Sequence, residues 1–172
     1  INNKTMPSWG YEIEHGATTI WERWDGFVEG RGYQDPGMNS FCHYAIGAVG
    51  EWMYRVILGI NPSEEEPAYK HFTIQPHPDE SVLWARGGYE SPYGDIISDW
   101  RYEGDKFHLN IAVPVNTTAT VFVPTTEPGS IMEDQVPVAQ AKGIKFIRSE
   151  QRAAIYEVGS GVYQFVSLYI DK

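Results

Sequence analysis

The sequence predicts an α+β chain in two parts, a short helical region followed by an antiparallel β-sandwich. Three observations predict it. Apolar residues recur at helical spacing from Phe41 to Ile57, and alternation with period two takes over after the run Asn61-Pro62-Ser63-Glu64-Glu65-Glu66-Pro67. Glycine and proline then punctuate the remaining sequence at short intervals, as turns between many short strands require.

In chain order, Pro7 to His15 reads as a short helix ended by Gly16, and Thr18 to Glu22 as an extended segment. Residues 39–58 read as one helix. Asn39 suits the N-cap, Gly59 suits C′, and Asn61-Pro62 blocks continuation. Phe41, Tyr44, Ala45, Ala48, Val49, Trp52, Met53, Val56 and Ile57 follow the helical period, and the other face is barely polar. Such a helix is expected to be buried on most sides, against the sandwich or a second copy of the chain, which leaves a homo-oligomer open. Its His43, Gly47, Gly50 and Tyr54 share one stripe, where the glycines permit close approach at a cost in helix stability. Cys42, the single cysteine, reads as a small core residue and excludes an internal disulfide.

The acidic, proline-bracketed run reads as a solvated linker and sets the expected domains at 1–66 and 67–172. Lys106 to Val113 and Thr118 to Val123 alternate strictly and are read as strands, with others near 70–75, 81–90, 94–102, 153–158 and 162–170. Turns at Gly104-Asp105 and Gly159-Ser160-Gly161 suit hairpins.

Composition narrows the partners. The 172 residues include 23 acids against 13 bases, a formal charge of -10 that repels phosphate backbones and argues against nucleic acid. A neutral glycan is unaffected. No apolar run approaches the roughly 20 residues of a membrane span, so no membrane partner is expected. Aromatic residues make up 14% of the chain, a share that sugar-stacking rings or simple core packing would each explain.

The stretch Gly16-Ala17-Thr18-Thr19-Ile20-Trp21-Glu22-Arg23-Trp24-Asp25-Gly26 carries the clearest chemistry. Glu22 stands between two tryptophans and beside an arginine. Apolar rings raise a carboxyl pKa by desolvation and a guanidinium lowers it, which together suit a general base, ionised yet poorly hydrated. The alternative is a half-buried ion pair of Glu22 with Arg23 or another base. Glu12, Glu14 and His15 precede this stretch, but no second histidine stands at a ligand spacing, so a satisfied helix terminus is expected there and no metal.

Residues Met6 to His15, the stretch just quoted, and Met38-Asn39-Ser40-Phe41-Cys42-His43-Tyr44-Ala45-Ile46-Gly47-Ala48-Val49-Gly50-Glu51-Trp52 closely resemble the end of the catalytic domain of bacterial α-L-rhamnosidases, glycoside hydrolase family 78. Asn116 to Pro124 and Gly159 to Phe165 resemble the family's C-terminal β-domain, so the resemblance spans essentially the whole chain. It implies that the first part is the C-terminal piece of an (α/α)₆ helical barrel and that the enzyme hydrolyses its substrate with inversion. Inversion uses two carboxyls about 6.5–9.5 Å apart, one protonating the leaving oxygen and one activating water.

By this resemblance Glu22 matches the general base and His43 a histidine that contacts the bound rhamnose, while Trp21 and Trp24 either wall the sugar site or wedge the segment into the barrel. The general acid lies in the family's upstream part. The resemblance therefore implies a rhamnose-containing glycan or glycoside as substrate, the upstream part of the same enzyme as partner, no cofactor, a bacterial source with its compartment open, and an inactive fragment. Three other readings stand beside it: a carbohydrate-binding sandwich presenting Trp84, Tyr89, Tyr93 and Trp100 as a row, a structural accessory module, and a fragment of a different helical-barrel glycosidase.

Overall fold

Ser8 starts the first element by accepting the Tyr11 N–H on its hydroxyl at 3.0 Å, which satisfies an N–H that the first turn leaves without a partner. Helix α1 (Trp9–Glu14) follows, and Gly16 ends it at φ +86°. Ser8, Tyr11 and Glu12 form its buried stripe. The structure, a computed structural model, describes residues 2–79 and 81–170. It divides into two compact units between Trp52 and Met53.

The first unit continues with a two-stranded antiparallel ribbon, β1 (Phe27–Val28) and β2 (Gly32–Tyr33), and a 3₁₀ turn at Pro36–Met38 capped by Asp35. The tyrosine of α1 ties helix to ribbon, its hydroxyl donating to Phe27 O at 3.3 Å and accepting the Glu29 N–H at 3.1 Å.

The long helix expected over 39–58 does not form. A single turn, α2 (Val49–Trp52), lies in the first unit, and a π-helical turn, Met53–Ile57, opens the second. The cause is competition for backbone groups. The His43 N–H goes to Ile20 O, Ser40 O accepts the Glu22 N–H and Phe41 O accepts the Thr19 hydroxyl, groups that a helix capped at Asn39 would use for its own first bonds. Gly47 and Gly50 add their low helix propensity in the middle of the stretch. Asn39 consequently caps nothing; its side-chain amide donates to Gly26 O at 2.9 Å. Tyr44 is 87% exposed and Cys42 is exposed, so neither is the core residue that periodicity suggested. No helical hairpin of a barrel is present among the described residues, and the chain is mostly β. None of its described helices is long and apolar enough to cross a membrane.

The second unit is a two-sheet sandwich. Its strands are β3 (Ile60–Pro62), β4 (His71–Ile74), β5 (Trp84–Ser91), β6 (Gly94–Glu103), β7 (Lys106–Val113), β8 (Thr118–Pro124), β9 (Met132–Glu133), β10 (Val136–Pro137), β11 (Ile144–Glu150), β12 (Ala153–Val158) and β13 (Gly161–Leu168). One sheet has the order β10-β9-β13-β7-β6-β5 and the other β11-β12-β8-β4-β3. Every pairing is antiparallel except β4 with β8, because the meander β5-β6-β7 in the opposite sheet separates those two in sequence. Alternation does what the sequence promised: Phe107, Leu109, Ile111 and Val113 of β7, with Phe165 of the neighbouring β13, join Ala119, Val121 and Val123 of β8 from the other sheet in one continuous core.

Two expectations change on this frame. Strand β3 takes Asn61 and Pro62 from the run read as a linker, so the unit boundary lies earlier than 66, and residues 63–70 form the connection to β4, with the glutamates exposed. Gly159-Ser160-Gly161 joins no hairpin. It carries the chain from β12, paired with β8 and β11, to β13, paired with β7 and β9 in the other sheet. Gly104-Asp105 does form the two-residue β6–β7 hairpin, with Gly104 at φ +65°.

The aromatic row is also broken. Ala85 pairs with Trp100 and Trp84 with Arg101, so Trp84 and Trp100 lie on opposite sheet faces. Trp100 is 1% exposed and donates its indole N–H to Ile57 O at 2.8 Å, while Ser98 donates to Leu58 O at 2.8 Å. These bonds seat residues 57–59 on β6.

Gly59 is where that seat is tightest. It stands at φ +76°, and a Cβ there would lie 2.1 Å from the Gln75 carbonyl carbon. Gly59→Ala should therefore destabilise the chain by at least about 2 kcal/mol, from the left-handed backbone and the clash together. Gly104→Ala, at a similar φ with open space around it, should cost about half as much. Denaturant unfolding of both variants measures the difference; equal losses would show that the approach of Gln75 carries no weight.

Candidate active site around Glu22

Residues 19–22 form no regular strand, yet they run alongside 40–43 and are held there by the main chain. The Glu22 N–H donates to Ser40 O at 2.8 Å and the His43 N–H to Ile20 O at 2.8 Å. The Thr19 hydroxyl donates to Phe41 O. Ser40 returns the bond, its N–H donating to Glu22 Oε2 at 2.8 Å. One carboxylate oxygen is thus fixed by a backbone donor, and among the described residues nothing else bonds the carboxylate.

The ion pair of Glu22 with Arg23 is not made. Arg23 turns instead to Asp25, in a two-point contact of Nε to Oδ1 at 2.6 Å and Nη2 to Oδ2 at 2.9 Å. The guanidinium holds the Asp25 carboxyl below its ordinary range, and Asp25 in turn raises the arginine. Glu22 is half-buried, and among the described residues no cation is in direct contact with its carboxylate.

His43 is fixed through one nitrogen. Its Nδ1 accepts the Ala45 N–H at 3.0 Å and its ring stacks on Tyr44, centroids 4.8 Å apart and planes inclined by 14°. In the neutral ring the proton then sits on Nε2, where it is free to donate. Trp21 is 4% exposed and packs edge-on against Phe41 at 5.0 Å. Trp24 is half-buried and packs edge-on against Trp9 at 5.0 Å, whose indole N–H donates to Ile46 O at 3.2 Å.

The structure thus brings Glu22 and His43 onto two bonded segments, turns Trp21 inward and leaves Trp24 partly open. Ser40 was not singled out by sequence, because a main-chain donor has no sequence signature. Glu12 was read only as part of a helix end. It is 2% exposed, and burial pushes its pKa up. The signal for it was the i, i+3, i+4 stripe of Ser8, Tyr11 and Glu12, which places a carboxylate on the buried face of α1. The remaining members of that acidic cluster have their own partners: Glu14 pairs with Lys4 at 2.7 Å, and His15 Nδ1 bonds Tyr11 O at 2.8 Å.

Comparison with known proteins gives the same family over both parts. Residues 1–57 match the family model described as the bacterial alpha-L-rhamnosidase 6 hairpin glycosidase domain, and residues 59–137 the bacterial alpha-L-rhamnosidase C-terminal domain. An alpha-L-rhamnosidase of Streptomyces avermitilis is 41% identical over 96% of this chain, and one of Formosa agariphila is 39% identical over 97%. Among solved structures, the Streptomyces avermitilis alpha-L-rhamnosidase complexed with L-rhamnose superposes with a TM-score of 0.85 over 96% of this chain. The alpha-L-rhamnosidase of Dictyoglumus thermophilum, 33% identical, superposes with a TM-score of 0.81 over the same share. The chain spans only 15% and 18% of the two curated relatives' lengths, and likewise 15% and 18% of the two structures. The chain belongs to the bacterial α-L-rhamnosidase family.

Proposed function

We propose that this chain is the C-terminal part of an inverting α-L-rhamnosidase, and that it supplies the general base, Glu22, and a sugar contact, His43, to an active site completed by the upstream part of the enzyme. The observation that carries the reading is the state of the Glu22 carboxylate: one oxygen is oriented by the Ser40 N–H, and the neighbouring arginine is occupied by Asp25. A base needs a fixed direction and an unneutralised charge, and this arrangement favours both. In the reaction proposed, Glu22 takes a proton from water as the water oxygen bonds to the anomeric carbon, opposite the departing glycosidic oxygen. That oxygen is protonated by an acid from the upstream region.

His43 suits a sugar hydroxyl because its Nε2–H is unspent. Half-buried Trp24 offers an indole face beside the segment, whereas Trp21 serves packing. The upstream helices of an (α/α)₆ barrel would enclose the rest of the sugar. No cofactor enters this chemistry. The separate carbohydrate-binding reading loses its support with Trp100 in the core and Trp84 on the opposite face.

The 172-residue chain alone should not turn over p-nitrophenyl α-L-rhamnoside, since the acid that typically supplies 10²–10⁴-fold is absent. Measurable hydrolysis by the purified chain would count against the division of the catalytic pair. In the enzyme that carries this segment, His43→Ala should raise KM about tenfold, the value of one hydrogen bond to a hydroxyl, and steady-state kinetics with an unchanged KM and kcat would remove His43 from the sugar site.

Glu22→Ala in that enzyme should lose at least about 10²-fold in kcat with its melting temperature nearly unchanged. Azide should then restore part of the rate, because it attacks without deprotonation, and should give rhamnosyl azide of inverted configuration. Product analysis on the variant is the check. Near-normal turnover by Glu22→Ala excludes it as the base.

A further inference from the structure

We infer that Asn39 is a positioning residue for Glu22, its side-chain amide fixing the point from which the Ser40 N–H is aimed at the carboxylate; the inference rests on the reading of Glu22 as the base. Asn39 is half-buried and immediately precedes Ser40, and its Nδ2 donates to Gly26 O at 2.9 Å. The Ser40 N–H belongs to the peptide that begins at Asn39, and it donates to Glu22 Oε2 at 2.8 Å. Because a peptide unit is planar, the direction of that N–H follows from where the Asn39 and Ser40 Cα atoms are held. The Ser40 side is held by its own carbonyl, which accepts the Glu22 N–H at 2.8 Å. Asn39 holds the other side.

Together these bonds close a ring. From Glu22 the chain turns at once, the Gly26 N–H donating to Arg23 O at 3.1 Å. Gly26 O then receives the Asn39 amide, Asn39 leads to Ser40, and Ser40 returns to Glu22 through both of its main-chain polar groups. Gly26 O also accepts the Gln34 N–H at 3.0 Å, so the β1–β2 ribbon and the 3₁₀ turn are pinned at the same atom. Movement of the exposed residues between them need not reach Ser40.

The seat suits an asparagine in shape and in chemistry. Gly26 is buried, and a Cβ there would lie 2.7 Å from Asn39 Oδ1, so the bare glycine is what lets the amide settle on the carbonyl. Asn39 Oδ1 is itself buried with no hydrogen-bond partner among the described residues. An unpaired buried acceptor costs free energy that an apolar side chain would avoid. What only the amide supplies is the donor. Turning the amide over would set Oδ1 against Gly26 O, so the direction of the donor follows from the geometry. Without that bond the Asn39–Ser40 peptide is free to tilt, the Ser40 N–H leaves its line to Oε2, and a small displacement of a catalytic group costs rate steeply.

The test uses the full-length enzyme that carries this segment. Asn39→Ala removes the amide; Gly26→Ala keeps it but pushes it off the carbonyl, at a position where φ is not positive and alanine is unstrained. Each should lower kcat about tenfold with a smaller change in KM. The double variant should lie within about twofold of either single one, because both release the same contact. The deciding measurement is the rate at saturating azide in a Glu22→Ala background. Azide needs no base to be aimed, so adding Asn39→Ala to Glu22→Ala should change that rate less than about twofold.

A fall in the azide rate as large as the fall in the parent overturns the proposal, since Asn39 then shapes the pocket as a whole. So does an Asn39→Ala enzyme with normal kcat and a lowered melting temperature, because the bond would then serve the fold alone. Losses that multiply in the double variant overturn it as well. If Asn39→Ala does not fold, Gly26→Ala decides by the same two rates. Near-normal turnover by Glu22→Ala alone is a different failure, that of the base assignment.

Discussion

The candidate site rests on the pairing of residues 20–22 with 40–43 through main-chain hydrogen bonds. Eighteen residues separate Glu22 from Ser40, and the intervening chain forms a ribbon and a 3₁₀ turn that return it to the same place. Once Ser40 accepts and donates across to Glu22, the backbone at 40–43 is committed, and a helix beginning at residue 39 is no longer open to it. The absence of that helix and the presence of the site are one event.

The sandwich solves a different problem by a similar device. Its entering segment, residues 57–59, is neither strand nor ordinary helix, and its carbonyls would be buried unpaired without outside donors. Trp100 and Ser98 on β6 supply them from side chains in the core. The tryptophan contributes a large apolar surface and one polar handle, which is why it sits inside the unit and why no smaller apolar residue would replace it without orphaning Ile57 O. Gly59 completes the joint by allowing β4's continuation to approach to van der Waals limits.

Legibility in the sequence followed local pattern closely. Strands β4 to β8, β12 and β13 were readable because each buries one face, so period two was written into the residues. Strand β11 was not: it is an edge strand with Phe146 and Ile147 exposed and a register shift between Phe146 and Arg148, which erases alternation. The helix over 39–58 was misread because Phe41 follows helical spacing while packing on Trp21 and Tyr33 across an irregular segment. The identity of the base candidate came from resemblance, and its neighbours in sequence suggested a charge partner. Its true orienting group, a backbone N–H eighteen residues away, has no side-chain signature to read. Glu12 was visible only as a helix residue, since its burial depends on what packs against α1.

The donor that orients Glu22 belongs to the peptide backbone of residue 40, and heredity acts on side chains. Nineteen of the twenty residues would carry the same N–H at that position, and only proline would delete it. The serine hydroxyl faces the other way, bonding within its own turn to Cys42. A lineage can therefore drift at position 40, changing solubility or the character of the neighbouring turn, while the direction of the carboxylate is conserved by geometry alone. An orienting histidine or arginine would have made that direction hostage to a single codon.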